Sequence, residues 1–292
     1  MNTTETFPLL DLHMHTTDSD GTDTPEEILR KVKEAGISLF SITDHDTLKG
    51  CMTVGKLLAE DDPVFLTGVE FSCQDELGKY HILGYGYDPD AEAVRTLVEN
   101  GHYNRMVKLK LRLDFLREEF GFVFTEDEVA HLFALNNPGK PHIAHCMVNH
   151  GYADSITEAF DLYLNKLSLR YDYLRPEEAI RGILKSYGVP VLAHPAFGNG
   201  TQRIRGQALD RRIRRLVDFG LEGVEAFYSG FSDDIRQEVL SCADHYGLYV
   251  TAGSDYHGLN KTICLGDTGL DKFSFVPEGL HRFLHDIPFN NR

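Results

Sequence analysis

The sequence predicts an α/β barrel of about seven strands carrying an inserted helical subdomain. Three observations predict it. Short apolar runs alternate with helix-start signals over residues 1–88 and again over 175–292. Residues 89–174 between them show helix patterns and no convincing strand. Residues of metal-binding type stand at the ends of nearly all the apolar runs, where a barrel of parallel strands builds its active site. An open doubly wound sheet would gather its ligands at one switch point instead.

The elements follow in order. A strand over 9–12 ends in His13-Met14-His15 and the turn residues 18–21. Alternate side chains of a strand share a face, so His13 and His15 point the same way. Thr24-Pro25-Glu26-Glu27 reads as an N-cap, a proline at the first helical position and a capping box, and Gly36 stops that helix. A buried strand over 38–43 leads into Asp44-His45-Asp46, and a helix over about 47–60 follows. A strand over 64–69 ends at Glu70, and a strand over 80–87 carries His81 near its start. The inserted helices run over about 91–119 and then from Thr125, from Lys140-Pro141-His142 and from Ser155. Alternation resumes with a helix at Pro176 and a strand over 189–193 ending at His194. Helices over 206–219 and 232–246 then alternate with strands over 223–227 and 248–252. The last strand runs into Gly253-Ser254-Asp255-Tyr256-His257. A series of this kind implies parallel strands joined by right-handed crossovers.

Composition narrows the function. The 292 residues, 42% of them hydrophobic, suffice for one large domain or a core domain with an insertion. A net charge of −16 argues against extended binding to nucleic acid, which needs a basic stripe. A small anionic substrate remains compatible, because divalent cations reverse the local sign. Five scattered cysteines without a Cys-x-x-Cys fit a reducing compartment. No targeting segment and no run long enough to cross a bilayer is present, so the expectation is a cytoplasmic protein with no membrane partner. No Gly-x-Gly-x-x-Gly or P-loop supports a nucleotide cofactor.

Six imidazoles and at least three carboxylates converge: His13, His15, Asp20, His45, Glu70, His81, His194, Asp255 and His257. This exceeds the three protein ligands usual at one catalytic zinc and suits two or three divalent ions. Mixed nitrogen and oxygen ligands accept Mn²⁺, Fe²⁺ or Zn²⁺. A water bridging two such ions loses its proton near neutral pH and attacks phosphorus or carbonyl carbon. Plainer readings stand beside this one. Asp20-Gly21 is also a turn signal, His81 also a core histidine, and His194 also a strand-end cap. Asp44 and Asp46 either fix the His45 ring or cap the following helix.

The motifs His13-x-His15 with Asp20-Gly21, Thr43-Asp44-His45-Asp46, Gly68-Val69-Glu70, His81-x-Leu83-Gly84, Ala193-His194-Pro195 and Gly253-Ser254-Asp255-x-His257, in this order, resemble the PHP (polymerase and histidinol phosphatase) family of metal-dependent phosphoesterases. The resemblance spans about 9–87 and 186–260, and the helical insertion resembles that of the stand-alone subgroup acting on nucleotides and small phosphorylated sugars. It implies a distorted (β/α)7 barrel. It also implies a first metal on His13, His15, Glu70 and Asp255, and a second on Glu70, His81 and His194. A third falls on Asp20, His45 and His257. Asp20, His194 and His257 are the candidates for catalytic proton transfer to the leaving oxygen.

Substrate residues are less sharply marked. Lys140, at a helix start, stands where the subgroup typically has a phosphate-gripping Arg, and is equally an exposed lysine; His142 follows it. Arg203 and Arg205 in the loop after His194, Arg170, and Tyr228 past the sixth strand are further candidates. Together these imply a phosphatase acting on a small phosphorylated ribose or nucleotide. A cyclic phosphodiesterase on phosphoribose and a 3′,5′-nucleotide bisphosphate phosphatase are close alternatives. A metal-dependent amidohydrolase is the alternative from another class, marked there by a metal-bridging lysine at a strand end. Neither a long nucleic acid nor a particular oligomeric state is implied.

Overall fold

The computed structural model describes residues 9–169, 173–199, 202–273 and 276–287. Seven strands hydrogen-bond in chain order as one sheet: β1 (Leu10–Asp11), β2 (Leu39–Ile42), β3 (Val64–Asp75), β4 (Gly78–Tyr85), β5 (Val189–Leu192), β6 (Gly223–Tyr228) and β7 (Tyr249–Gly253). The sheet closes on itself at the β7–β1 seam. There the Leu12 amide donates to the Ala252 carbonyl at 2.9 Å, the Asp255 amide to the His13 carbonyl at 2.8 Å, and Met14 pairs with Tyr256. The buried Asp11 carboxylate locks this seam, accepting from the Ser254 amide (2.9 Å), the Ser254 hydroxyl (2.6 Å) and the Gly266 amide (2.8 Å). Burial raises its pKa to about 6 against the pull of these bonds.

One strand corrects the parallel expectation. β4 runs antiparallel to both β3 and β5. Only Glu76 and Leu77 separate β3 from β4, far too few residues for a crossover, so the connection is a hairpin. For the same reason β3 does not stop at Glu70 but continues to Asp75, its extension pairing with the start of β4. The reversal also accounts for His81. The start of an antiparallel strand lies at the rim where its parallel neighbours end.

The helices are α1 (Pro25–Glu34), α2 (Lys49–Leu57), α3 (Glu92–Phe120), α4 (Glu126–Ala134), α5 (Lys140–Asn149), α6 (Ile156–Glu158), α7 (Pro176–Lys185), α8 (Gln207–Phe219), α9 (Asp233–Tyr246) and α10 (Glu278–Asp286). Thr24 and Thr125 make the capping boxes that open α1 and α4. The barrel core includes Ile82, Val191, Val224 and Val250 against Ile180, Ile213 and Phe283. A second core, including Leu109, Leu116, Leu132, Ile143 and Met147, holds the helices between β4 and α7 together. α3 belongs to both. Its early residues Val94 and Leu97 pack in the barrel core, and its later ones in the second. With 29 residues it spans about 43 Å and carries one layer over the other. Among the described residues no helix is long and apolar enough to cross a membrane.

Candidate metal centre and substrate pocket

The nine ligand-type residues meet at one rim of the barrel. Glu70 is at their centre. Its Oε1 lies 3.3 Å from His13 Nε2, 2.9 Å from His81 Nδ1 and 3.4 Å from His194 Nε2. Its Oε2 lies 3.2 Å from His15 Nε2 and 3.0 Å from His45 Nδ1. Asp255 Oδ1 is 3.5 Å from His13 Nε2 and 3.4 Å from His15 Nε2. Asp20 Oδ1 is 3.3 Å from His257 Nε2 and 3.9 Å from His45 Nε2. The ring of His45 therefore stands between Glu70 and Asp20, one nitrogen toward each.

Buried polar atoms are normally hydrogen-bonded. Here His13 Nε2, His15 Nε2, His45 Nδ1, His81 Nδ1, His194 Nδ1, Asp20 Oδ1 and both Glu70 oxygens are buried without such a bond. Imidazole nitrogens and carboxylate oxygens left unpaired at one point are the donor set of divalent cations, so the residues fit that group. Burial alone would raise the Glu70 carboxyl, yet the rings of His81, His13 and His45 hold it well below the carboxylate range. Burial lowers the pKa of His81 to about 4, which leaves it neutral, the form that binds metal.

Residues behind the rim hold these groups in place. Glu225 on β6 is fully buried; its Oε1 is 2.9 Å from His13 Nδ1, and its Oε2 accepts from the His194 amide at 2.9 Å. This turns His13 Nε2 toward Glu70. Gly253 is needed for the same approach, since a Cβ there would sit 2.2 Å from the His13 Cβ. Asp44 accepts from the amide and hydroxyl of Thr16, both at 2.7 Å, and from the Ser19 hydroxyl at 2.5 Å, so it shapes the loop after His15. Asp46 accepts from Arg105 Nε at 2.6 Å and the Ser72 amide at 3.0 Å. Asp46, His194 and Asp255 have φ of 53°, 28° and 59°, a strained region that costs about 1–3 kcal/mol each and clusters at functional sites. Glu225 escapes the motif reading, although a carboxylate inside the apolar run 223–227 was its signal.

A cavity of about 240 Å³ separates the rim from the helical layer. Its lining includes His45, His81, His194 and Asp255 of the rim, Lys79 of β4, Lys108 and Arg112 of α3, and Lys140 of α5. Arg105, Lys108 and Arg112 recur at helical spacing on one face of α3, and all three are buried. Arg105 pairs with Asp46 and donates to the Ser72 hydroxyl at 3.0 Å. The Lys108 ammonium lies 3.9 Å from the Tyr173 ring centroid. Among the described residues no carboxylate lies within 4.0 Å of Lys108 or Arg112. Burial lowers the pKa of both.

The other candidates fall in different places. Lys140 lines the cavity with its Nζ 2.6 Å from Asn165 Oδ1. His142 Nδ1 accepts from the Gly139 amide at 2.9 Å and so caps α5. The Tyr228 hydroxyl donates to Asp255 Oδ2 at 3.1 Å, which sets the ring behind a ligand rather than in the cavity lining. Arg203 stacks on Phe197, 4.4 Å from its centroid, and Arg205 pairs with Asp234 and Glu238 on the surface. Arg170 lies outside the described residues. Lys261 is an addition to the sequence reading, its Nζ 2.5 Å from Asp255 Oδ2 at the cavity edge.

Nitrogen and carboxylate ligands converging at the rim of a closed α/β barrel, beneath a cationic roof, define a metal-dependent phosphoesterase. The PHP domain model matches residues 11–173, and the chain belongs to that family. A phosphoribosyl 1,2-cyclic phosphate 1,2-diphosphodiesterase from Eggerthella lenta is 32% identical over 257 residues, covering 85% of this chain and 94% of that protein. A 3′,5′-nucleoside bisphosphate phosphatase from Chromobacterium violaceum is 27% identical over 254 residues, covering 85% and 87%. A 5′-3′ exoribonuclease from Haemophilus influenzae is 27% identical over 250 residues, covering 85% and 89%. A solved structure from Chromobacterium violaceum, described as an amidohydrolase with bound sulfate and no metal, superposes with a TM-score of 0.77 at 26% identity, covering 87% and 89%. In this chain the centre of the rim is held by the Glu70 carboxylate and not by a lysine.

Proposed function

We propose that the enzyme hydrolyses a phosphate ester of a small ribose compound bearing two anionic groups, one at the metal rim and one against α3. A cyclic phosphate of a phosphorylated ribose fits this best, and a 3′,5′-nucleotide bisphosphate is the alternative. The observation that carries the reading is the pair of buried α3 cations, Lys108 and Arg112, that line the same cavity as the rim histidines. Buried charges without a carboxylate partner are expensive, and an anion from the substrate relieves the cost. The cavity, about 240 Å³, lies below the ~300–1,000 Å³ usual for drug-sized ligands, which favours a phosphorylated pentose over a polymer.

In this reading His13, His15, Glu70 and Asp255 hold one divalent ion and Glu70, His81 and His194 a second. Asp20, His45 and His257 hold a third, and Mn²⁺, Fe²⁺ and Zn²⁺ all suit such ligands. Bound there, the ions neutralise phosphoryl oxygens and lower the pKa of the attacking water. Glu225 fixes the first set by orienting His13. Asp20, His194 and His257 line the cavity beside the leaving oxygen's position, and of these His194 or His257 serves as its proton donor only with a ring nitrogen not committed to metal. We assign the enzyme to the cytoplasm, a reading supported by five unpaired cysteines.

The test is hydrolysis with Mn²⁺, read by phosphorus NMR as ring-opened monoester or inorganic phosphate, across a panel of cyclic phosphoribose phosphates, 3′,5′-bisphosphates, nucleoside 5′-monophosphates, histidinol phosphate and a short 5′-phosphorylated oligoribonucleotide. Compounds with two anionic groups should lead monophosphates by about 10²–10⁴-fold in kcat/KM, the value of two charge-assisted bonds at about 1.5–3 kcal/mol each. Equal rates for monophosphates, or a preference for the oligonucleotide, would reject the reading.

A pH effect follows from Lys140. Burial, with Arg112 and Lys79 nearby, lowers its pKa to about 7. Its charge is therefore present below pH 7 and lost above it, so the ratio of kcat/KM for a doubly anionic substrate to that for a monophosphate should fall as pH rises from 6 to 8. Lys140→Arg stays charged and should flatten that fall. Superimposable profiles for the two enzymes would exclude Lys140 from anion binding.

A further inference from the structure

We propose that the helical layer positions the metal group Asp20, His45 and His257, through asparagine side chains that anchor the loops carrying it. The inference rests on the three-ion reading above. The other groups draw ligands from strand ends held by the sheet, with His13 and His194 further fixed by Glu225. Asp20 and His257 sit on loops and His45 on a single bridge to Glu70 just past β2, and each of these segments is tied to the helical layer.

Asn137, in the connection between α4 and α5, is buried, and its amide donates to the His45 carbonyl. Its neighbour Asn136 donates to the Asp18 carbonyl at 3.0 Å and the Thr47 hydroxyl at 3.2 Å. Asn260, three residues past His257, donates to the Asp20 carbonyl at 2.8 Å. The Asn260 side-chain oxygen in turn lies 3.0 Å from His145 Nε2 on α5. Gly139, at the start of α5, packs on the Asp20 side chain, where a Cβ would come within 3.1 Å of Oδ2. Backbone carbonyls flanking or belonging to Asp20 and His45 are thus fixed by amides, two of them from the helical layer and one braced by it.

A metal site needs its ligands held to about 0.5 Å, which a free loop does not provide. Where the anchors are removed, binding must also order the loops, and the affinity of this group alone falls. Partners behind metal ligands are typically worth about 10–100-fold in metal affinity. Asn136, Asn137, Asn260 and His145 are therefore positioning residues. They act through the ligand loops and do not touch the ions.

The experiment is a Mn²⁺ titration of metal-free protein by calorimetry, with bound metal counted by elemental analysis. Wild type is compared with Asn137→Ala, Asn260→Ala and the exposed, structurally mild His145→Ala. Wild type should bind three equivalents. Asn137→Ala and Asn260→Ala should keep two tight equivalents while the third weakens about 10–100-fold, with the metal-free protein melting only a few degrees lower, as one lost hydrogen bond requires. His145→Ala should show the same selective loss to a smaller extent, and excess Mn²⁺ should restore phosphate release in all three. Should Asn137→Ala fail to fold, the other two variants decide. Three equivalents bound as tightly in the variants as in wild type would overturn the inference and leave the three-ion reading standing. Equal weakening of all equivalents marks a general structural role and also overturns it. Only two equivalents in wild type would refute the three-ion reading itself, and the inference with it.

Discussion

Glu70→Ala is expected to release at least two metal equivalents and to lower kcat by about 10³–10⁴-fold, the equivalent of the several kcal/mol that metal ions contribute to phosphoryl transfer. The carboxylate is buried, and its two oxygens face five imidazole nitrogens at 2.9–3.4 Å. No other carboxylate groups with both the His13–His15 pair and the His81–His194 pair among the described residues. Glu70→Gln keeps the shape and removes the charge. It should lose metal nearly as completely, because an amide oxygen does not balance two cations. Elemental analysis and phosphate release on the same preparations give both readings, with circular dichroism to show that the barrel persists. Tight metal binding by the Gln variant would mean that Glu70 serves packing and not the ions.

The second large effect is expected at α3, and it has opposite signs for stability and activity. Lys108→Met with Arg112→Met removes two buried cations that have no carboxylate partner within 4.0 Å among the described residues. Unpaired buried charge destabilises the folded chain, so the double variant should melt higher, by about 2–4 °C for each kcal/mol relieved. If these cations bind the second anion of the substrate, kcat/KM for a doubly anionic ribose phosphate should fall about 10²–10⁴-fold, at about 1.5–3 kcal/mol for each of two charged contacts. Turnover of a simple monophosphate should change little. A lower melting temperature with unchanged kinetics would assign the two residues a structural role.

The metal rim was legible in the sequence because chemistry restricts it twice, by residue type and by position. Histidines and carboxylates at the ends of apolar runs serve a core poorly, and the closed sheet brings all nine together. His81 looked out of place because strand direction leaves no mark in composition. The two-residue connection at Glu76 and Leu77 was the available sign. The α3 cations were harder. Arg105, Lys108 and Arg112 at three- and four-residue spacing read like a solvated helix face, and only the packing of α3 across the pocket makes that face an interior one. The loop after His194 misleads in the opposite way. Arg205 stands in a Gly-rich stretch that suggests a phosphate grip, yet Asp234 and Glu238, distant in sequence, take its guanidinium. Glu225 and Asn137 act through backbone groups and ring orientation, which no motif spacing encodes.

The most direct test of the central claim is substrate hydrolysis followed by phosphorus NMR while Mn²⁺ is added stepwise to metal-free enzyme, with a cyclic phosphate of ribose phosphate as substrate. No turnover should occur without metal, with activity rising only as the second equivalent binds and reaching its maximum by about the third. Full activity in the chelated protein, or saturation at one equivalent, would contradict the account.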